Sequence, residues 1–358
     1  MTEAESPHQE QALERANQAF ELLAEPLRRE LKLHCYRMLG SMHEAEDLVQ
    51  ETYLRAWRSF DSFEERGSFR AWLYRIATNA CLNALAGRKN VHRLLPNQHA
   101  PATVQPLKGA PATDVAWLEP YPDSSLEGIA DDAPNPEARY TSREAAQLAF
   151  VAAIQQLPPR QRAASLLCDV LGWTASETAA LLGGSTASIN SALQRARKTL
   201  AERYPAGRPE AAVPALDSTQ QKLLDRYLQV WEGHNLDGFV TLLKEDATFT
   251  MPPWRQWYEG REAIRSFFAT AWKSCAGLRL VPTAANRQPA FAVYARTSAG
   301  APLIAHSIHV LELEHGLIST LTVFVEPIGS PMFHAFGLPL TIPDAHSSEL
   351  PSIPHHSC

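Results

Sequence analysis

The sequence predicts a multidomain chain: two all-α domains followed by a C-terminal α+β domain. Apolar residues recur at three- and four-residue spacing from about Leu13 to Asn90, and again from Ser142 to about Arg203, which is the period of a helix with one buried face. Between these stretches prolines cluster (Pro96, Pro101, Pro106, Pro111, Pro120, Pro122, Pro134 and Pro136), each removing a backbone donor and stopping helix propagation. Beyond about Thr219 a helix over Gln221–Trp231 and a shorter one around Leu236–Lys244 give way to the alternating segments AFAVYART and AHSIHVLELE. Alternation suits strands with one buried face, and helices followed by strands make an α+β domain. The expected division is a helical domain at 13–93, an acidic, proline-rich linker at 94–141 and a second helical domain at 142–204. A short linker at 205–218, the α+β domain at 219–335 and a tail at 336–358 complete it.

At 358 residues the chain is long enough for two or three cores. Its net charge of -6 does not by itself suggest a polyanion partner, but an average hides local charge. Five scattered cysteines, Cys35, Cys81, Cys168, Cys275 and Cys358, show no C-x-x-C spacing, so neither a disulfide framework nor a zinc site is expected. No cofactor and no metal are expected either; the terminal His355, His356 and Cys358 read as a tail rather than a ligand set. The N-terminal MTEAESPHQEQ is acidic where a secretion signal is basic and then apolar, and no stretch is apolar for long enough to span a bilayer. A cytoplasmic protein with no membrane partner is expected.

Around His43–Arg58, helical spacing places Ala45, Leu48, Thr52 and Ala56 on one face and Asp47, Gln50, Glu51 and Arg55 largely on the other. A charged face is ordinarily solvated surface. The following helix, GSFRAWLYRIATNACLNALAGRKN, points Phe69, Trp72 or Leu73, Ile76 and Ala80 inward and leaves Arg70, Tyr74, Arg75, Asn79, Asn83 and Arg88 near the opposite face. From Glu65 to Arg93 there are six basic residues against Glu65 alone, a phosphate-binding footprint in an acidic chain. Amides can read base edges and aromatic rings can stack on unpaired bases.

In the second helical domain Thr174 and Glu177 have capping-box spacing for a helix Ser176–Leu182. Gly183 and Gly184 supply the turn, and Ser185 or Thr186 caps a second helix running to about Leu200, with Ile189 and Leu193 spaced to pack on Ala179 and Leu182. This is a helix-turn-helix pattern. Entering a major groove N-terminus first, the second helix offers Thr186, Ala187, Asn190, Ser191 and Gln194 to base edges and Arg195, Arg197 and Lys198 to phosphates or a protein partner.

AEDLVQETYLRAW at Ala45–Trp57 resembles the region 2 helix of sigma-70 family RNA polymerase sigma factors of the extracytoplasmic-function subgroup, and LPPRQRAASLLCDVLGWTASETAALLGGSTASINSALQRARKTL is similar to their region 4. The resemblance spans about Phe20–Tyr204. It implies that Asp47, Gln50 and Glu51 contact the clamp of core RNA polymerase. The -10 promoter element would then be read by Arg70, Tyr74, Arg75, Asn79, Asn83 and Arg88, with the loop Phe60–Ser68 holding an extruded base. The -35 element would be read by the helix-turn-helix. The family usually has an acidic residue where this chain has Asn83. In relatives the linker threads the basic cleft and RNA exit path of the polymerase; here it is acidic, and its cluster WLEPYP at Trp117–Pro122 suggests a docking point rather than a plain tether.

The third domain, with DATFTMPPWRQWYEGREAIRSFF and the Gly260–Ile264 turn into a helix, resembles the SnoaL-like polyketide cyclase domain of the nuclear transport factor 2 fold, a cone around an apolar pocket. Candidates to line that pocket are Met251, Trp254, Trp257, Tyr258, His306 and Phe324, together with Trp231, Phe249 and Phe268. Strand parity should send His306 and His309 to opposite faces, which makes them a poor catalytic or metal pair. No catalytic residue is assigned. Extended relatives are thought to use such a domain for regulation. The expectation is therefore a sigma factor that partners core RNA polymerase and promoter DNA (-35 and -10 elements). Its third domain would modulate activity, with a small-molecule ligand as a candidate partner of that domain. Two rivals remain at this stage: a helix-turn-helix transcription regulator with a ligand-sensing C-terminal domain, and a fusion enzyme centred on the third domain.

Overall fold

The computed structural model describes residues 7–63, 68–88, 92–129, 145–204 and 217–343. These form two compact units: unit 1 is drawn from Met1–His99, Thr113–Pro214 and Ala284–Gln288, and unit 2 from Ala100–Ala112, Ala215–Thr283 and Pro289–Cys358. The acidic run Asp131–Glu137, the predicted start of the second helical domain at Ser142 and the His355–Cys358 tail lie outside the described residues. No helix among the described residues is long and apolar enough to cross a membrane.

Unit 1 is helical. Helices α1 (Pro7–Ala24), α2 (Arg28–Leu39), α3 (Met42–Arg58) and α4 (Phe69–Ala86) come first, followed by α5 (Leu148–Gln155), α6 (Pro159–Ser165, continued by one π turn at Leu166–Val170), α7 (Ala175–Leu182) and α8 (Thr186–Arg203). The core of the first bundle joins Leu31, Cys35 and Met38 of α2, Val49 and Thr52 of α3, and Leu73, Ala77 and Cys81 of α4, all buried. Their three- and four-residue spacings put each set on one face. Each large apolar side chain so buried contributes about 1.5–3 kcal/mol.

The α2–α3 corner depends on Gly40. Its φ is +71° and a Cβ there would lie 3.0–3.1 Å from Gln155, Arg93 and Leu118, so both the backbone conformation and the close approach of other segments demand glycine. Ser41 then caps α3, its Oγ accepting from Glu44 N–H at 3.3 Å. The WLEPYP segment docks inside this unit: Trp117, Leu118 and Tyr121 are buried, Leu118 N–H donates to Leu94 O (3.2 Å) and Glu119 N–H to Gly40 O (3.0 Å). Asn286 is also an internal member of unit 1. It is fully buried at φ +56°, accepts from Tyr121 N–H (2.8 Å), and donates to Tyr36 Oη (3.0 Å) and Ala146 O (2.8 Å). One amide thus satisfies groups from α2, the linker and the segment leading into α5, which would otherwise be buried without partners.

Unit 2 carries helices α9 (Ser218–Glu232), α10 (Leu236–Val240) and α11 (Arg261–Ala271) and strands β1 (Leu243–Thr250), β2 (Trp257–Glu259), β3 (Gly277–Ala285), β4 (Gln288–Arg296), β5 (Leu303–Glu314), β6 (Leu317–Phe324) and β7 (Thr341–Ile342). The helix expected over Leu236–Lys244 stops at Val240, because Leu243 and Lys244 already belong to β1. Strand order is β2-β1-β6-β5-β4-β3 with β7 pairing β5; β1 and β6 run parallel, whereas β1–β2, β4–β5 and β5–β6 are antiparallel. The helices cover an aromatic core containing Tyr227, Trp231, Phe239, Phe249, Phe267 and Phe268.

Candidate nucleic-acid and polymerase interface

On α3 the packing face is Met42, Ala45, Val49, Thr52 and Ala56. Val49 takes the place expected for Leu48, which is half-buried, a one-position rotation of the helix. Asp47 and Gln50 are exposed and Glu51 half-exposed, its carboxylate paired with Arg55 at 2.5 Å. Sequence reasoning missed Leu54, which is 58% exposed. Positions 47, 50, 51 and 54 follow the i, i+3, i+4, i+7 spacing of one stripe, so an apolar side chain stands at the C-terminal end of the acidic face.

The face of α4 differs more from expectation. Tyr74 was assigned to the free surface but is completely buried, against His34 (ring centroids 5.1 Å apart) and Trp173 (5.8 Å), with the Arg70 guanidinium 5.0 Å from its ring centre. The inward residues are Leu73, Tyr74, Ala77, Thr78, Ala80, Cys81 and Leu85, while Phe69, Trp72 and Ile76 are half-buried. Phe69 and Trp72 join an aromatic cluster with Phe63. Arg70 is held by both oxygens of Glu30 (2.8 and 3.0 Å), and Arg88 by Glu44 (3.0 Å). Arg75 and Asn83 are exposed and Asn79 half-buried. Of the Phe60–Ser68 loop, 64–67 lie outside the described residues.

The second helical segment explains why Tyr74 is covered. Arg162 of α6 is fully buried. It donates to Met38 O at the end of α2, to Gln155 Oε1 (2.7 Å) and to the carbonyls of Gln155 (2.6 Å) and Leu157 (3.1 Å); burial pulls its guanidinium down to about 9. Gln155 Nε2–H in turn donates to Arg37 O (2.8 Å), and Arg37 Nε–H to Ala145 O (3.0 Å). These bonds satisfy the orphan carbonyls at the C-terminus of α2 and place a positive charge at its negative dipole end. They also lock the two helical halves of unit 1 together.

The helix-turn-helix forms as its spacing requires. Thr174 Oγ1 accepts from Glu177 N–H (3.1 Å) and Glu177 returns a bond from Thr174 N–H (2.8 Å). Gly183 ends α7 at φ +64°. Ser185, not Thr186, caps α8, accepting from Ser188 N–H at 3.1 Å. Ile189, Ala192, Leu193 and Ala196 are buried, whereas Thr186, Ala187, Asn190, Ser191, Gln194, Arg195, Arg197 and Lys198 are all exposed. Arg197 pairs with Asp169 at 2.6 Å.

Glu119 of the WLEPYP segment was not singled out from sequence. Its carboxylate sits at the N-terminus of α3, accepting from Ser41 Oγ–H (2.9 Å) and Met42 N–H (2.9 Å) and meeting His43 Nδ1 (3.2 Å). Burial works to raise its pKa, but the His43 bond and the Arg93 charge outweigh it and hold the carboxyl below its usual 4.5. The Glu119 bond raises His43 above 6.5.

In unit 2 a cavity of about 90 Å³ lies inside the cone, lined among others by Trp231, Phe249, Met251, Phe268, His306 and His309. Tyr258 instead lines a second cavity, Trp254 packs at the core's margin, the indole N–H of Trp257 donates to Ala100 O (2.6 Å), and Phe324 is buried away from both cavities. The parity argument about His306 and His309 fails. Val293 opposes Ser307 but Tyr294 opposes Ala305, so His306 is the extra residue of a β-bulge, which re-aims it, and both histidines line the same cavity. They are joined through Ser307 Oγ (3.1 Å to each), and Tyr227 Oη meets His309 Nδ1 at 2.8 Å. Burial, with His306 beside it, pushes His309 down to about 3. The Tyr227, His309, Ser307 and His306 side chains satisfy one another, whereas the indole N–H groups of Trp231 and Trp272, which also line the cavity, are buried without a partner.

A helix-turn-helix with a free reading face, beside a helical bundle bearing an acidic stripe and an amide-bearing basic helix, defines a promoter-reading transcription protein. Family comparison agrees: residues 23–91 match Sigma-70 region 2, 147–200 match Sigma-70, region 4, and 224–321 match the SnoaL-like domain. ECF RNA polymerase sigma factor SigG of Mycobacterium tuberculosis (strain ATCC 25618 / H37Rv) is 42% identical over 340 residues, covering 94% of this chain and 88% of the relative. SigJ of the same strain is 31% identical over 231 residues, covering 63% and 62%. The crystal structure of Mycobacterium tuberculosis SigJ shares the fold, with a TM-score of 0.56, 23% identity, and coverage of 88% of this chain and 97% of that one. The chain belongs to the extracytoplasmic-function RNA polymerase sigma factors: it binds core RNA polymerase and directs promoter-specific transcription initiation.

Proposed function

We propose that this sigma factor rests in a closed form, that its C-terminal SnoaL-like domain modulates the passage to the promoter-binding form, and that the exposed faces divide the labour as follows. Asp47, Gln50, Glu51 and Leu54 meet the polymerase. Arg75, Asn79 and Asn83 read the -10 element, joined by Tyr74 once Trp173 withdraws and by Arg70 and Arg88 once their carboxylates are displaced. Thr186, Ala187, Asn190, Ser191 and Gln194 read the -35 element, with Arg195, Arg197 and Lys198 on phosphates or polymerase. The protein acts in the cytoplasm, where its polymerase is.

Asn286 carries the regulatory reading. It comes from the turn between β3 and β4, yet its hydrogen bonds tie α2, the linker and the lead into α5. A stretch of chain from within the third domain's sequence is thus built into the core of unit 1, which supports a regulatory role for that domain. We read the third domain as a regulator rather than a catalyst, because its titratable chain Tyr227–His309–Ser307–His306 is internally satisfied and the only polar groups it leaves at the cavity among the described residues are the indole N–H donors of Trp231 and Trp272. A small, largely apolar ligand with a hydrogen-bond acceptor for those indole donors suits such a cavity.

The test is run-off transcription with purified core polymerase on genomic promoter DNA, comparing the full chain, the N286A variant and a chain ending at Pro205 whose helicity is checked by circular dichroism. Initiation rates that differ among the three assign the domain its regulatory sign; equal rates would refute modulation.

A further inference from the structure

We propose that Cys275 is a covalent modification site: a small α,β-unsaturated carbonyl compound enters the cone of unit 2, is held by the indole N–H groups of Trp231 and Trp272, and alkylates the Cys275 sulfur. This rests on the reading of the cavity as a ligand site and names the ligand's chemical class.

The mouth of the cavity can be read from burial. Among its lining residues Trp231, Phe249, Phe268 and His309 are buried, whereas Ala271, Trp272, Cys275, Leu278 and Val325 are half-buried. Four of those five lie on α11, β3 or the connection between them, so this stretch forms the rim and sets Cys275 where an incoming molecule passes. Cys275 and Trp272 share a direction for a local reason. A 3-10 turn, Trp272–Ser274, is closed by Cys275 N–H donating to Trp272 O (3.2 Å), and side chains three apart in such a turn eclipse one another. Trp231 packs edge-on against Trp272, ring centroids 5.2 Å apart. The thiol and both indoles therefore line one volume of about 90 Å³.

The chemistry of the wall selects the ligand. Two buried N–H donors without a partner require an acceptor. No lysine or arginine is among the described residues that line the cavity, so a carboxylate would lose its hydration without gaining a counter-charge; a neutral carbonyl loses far less. A cavity of about 150 Å³ takes benzene, and this smaller one suits a compound of roughly five carbons. Burial pushes the Cys275 thiol up, which keeps the sulfur protonated and slow toward electrophiles that only collide with it. A bound enone differs. As sulfur bonds to the β-carbon, the C=C electron pair shifts and negative charge develops on the carbonyl oxygen, where the two N–H groups stabilise it. The thiol proton leaves to solvent at the rim and one returns to the α-carbon, so S–H has added across C=C with nothing oxidised or reduced.

The full chain treated with 2-cyclopentenone, with adducts mapped by peptide mass, tests this. Cys168 is also half-buried with its thiol pushed up by burial, which makes it the internal reference. Cys275 should be alkylated at least tenfold faster than Cys168, and cyclopentanone, which has the acceptor but no C=C, should protect it. W231F and W272F keep an aromatic ring and lose the N–H; each should slow the enone at Cys275 severalfold while methyl iodide, which has no acceptor, alkylates Cys275 as fast as in the wild type. Enone labelling of Cys275 no faster than of Cys168, or labelling that neither cyclopentanone nor the Trp variants slow, would overturn the site. If cyclopentanone raises the melting temperature while the enone spares Cys275, covalent capture fails and the ligand reading stands; if cyclopentanone has no effect and Cys275 is spared, both fail.

Discussion

Helices α4 and α8 were read from sequence by the same argument, as amphipathic helices with a free nucleic-acid face, yet the molecule treats them differently. All eight predicted residues of α8 are exposed, and of its three basic ones Arg197 is paired with a carboxylate, Asp169. On α4, Tyr74 is buried, and Arg70 and Arg88 are engaged by carboxylates. On the assignment proposed above, the face of α8 for the -35 element is displayed and the face of α4 for the -10 element is largely occupied. That proposal therefore requires an opening step in one half of recognition and not in the other.

The largest effect should come from the bolt that holds the closed state. Replacing Arg162 with Ala leaves the carbonyls of Met38, Gln155 and Leu157 buried without their donor, and should cost unit 1 about 3–5 kcal/mol. Urea denaturation followed by circular dichroism measures it, and a loss below about 1 kcal/mol would show the two halves are not locked through this residue. Next, N190A should weaken -35 duplex binding by about 1–3 kcal/mol with stability unchanged within about 0.5 kcal/mol. The matching N83A should affect only binding to melted -10 strand. Fluorescence anisotropy with the two oligonucleotides separates them. A smaller change, about 0.5–1.5 kcal/mol, follows from W173A, which removes an aromatic partner of Tyr74. It should tighten single-stranded -10 binding while leaving -35 binding alone; no gain would mean that Tyr74 is structural.

The smallest effect is a pH dependence of the linker's hold on α3. Glu119 is held below its ordinary 4.5, so its contribution is present above that value and lost as pH falls through the lowered one. His43 is held above 6.5, so its contribution is present below 6.5 and lost as pH rises through the raised value. The pair is at full strength between about 4.5 and 6.5. Thermal melts across pH should therefore show H43A removing the alkaline side of that maximum, with the acid side kept because Ser41 and Met42 still bond Glu119.

The α8 face was legible because everything that shapes it is local: two caps, one glycine turn and a helical period within thirty residues. The α4 face was only partly legible. Periodicity put Tyr74 near the basic side of the helix, but what covers it is Trp173, about a hundred residues on, and no pattern within α4 reports that neighbour. Leu54 stands at i+3 and i+7 from Glu51 and Asp47, so its place on the stripe is legible in the sequence. The histidine pair was misjudged because strand parity assumes an unbroken ladder, and the bulge at His306 breaks it.

By itself the sequence determined the order of domains, the helix-turn-helix, the acidic stripe of α3 and the α+β character of the third domain, all of which follow from short-range spacing and backbone preference. Only the tertiary structure decided which charges are spent on internal partners, that Arg162 bolts two helical halves, and that Asn286 braces α2, the linker and α5's approach. Those are pairings between segments distant along the chain. They are selected by which buried donors and acceptors must be satisfied, a condition that exists only once the chain has folded.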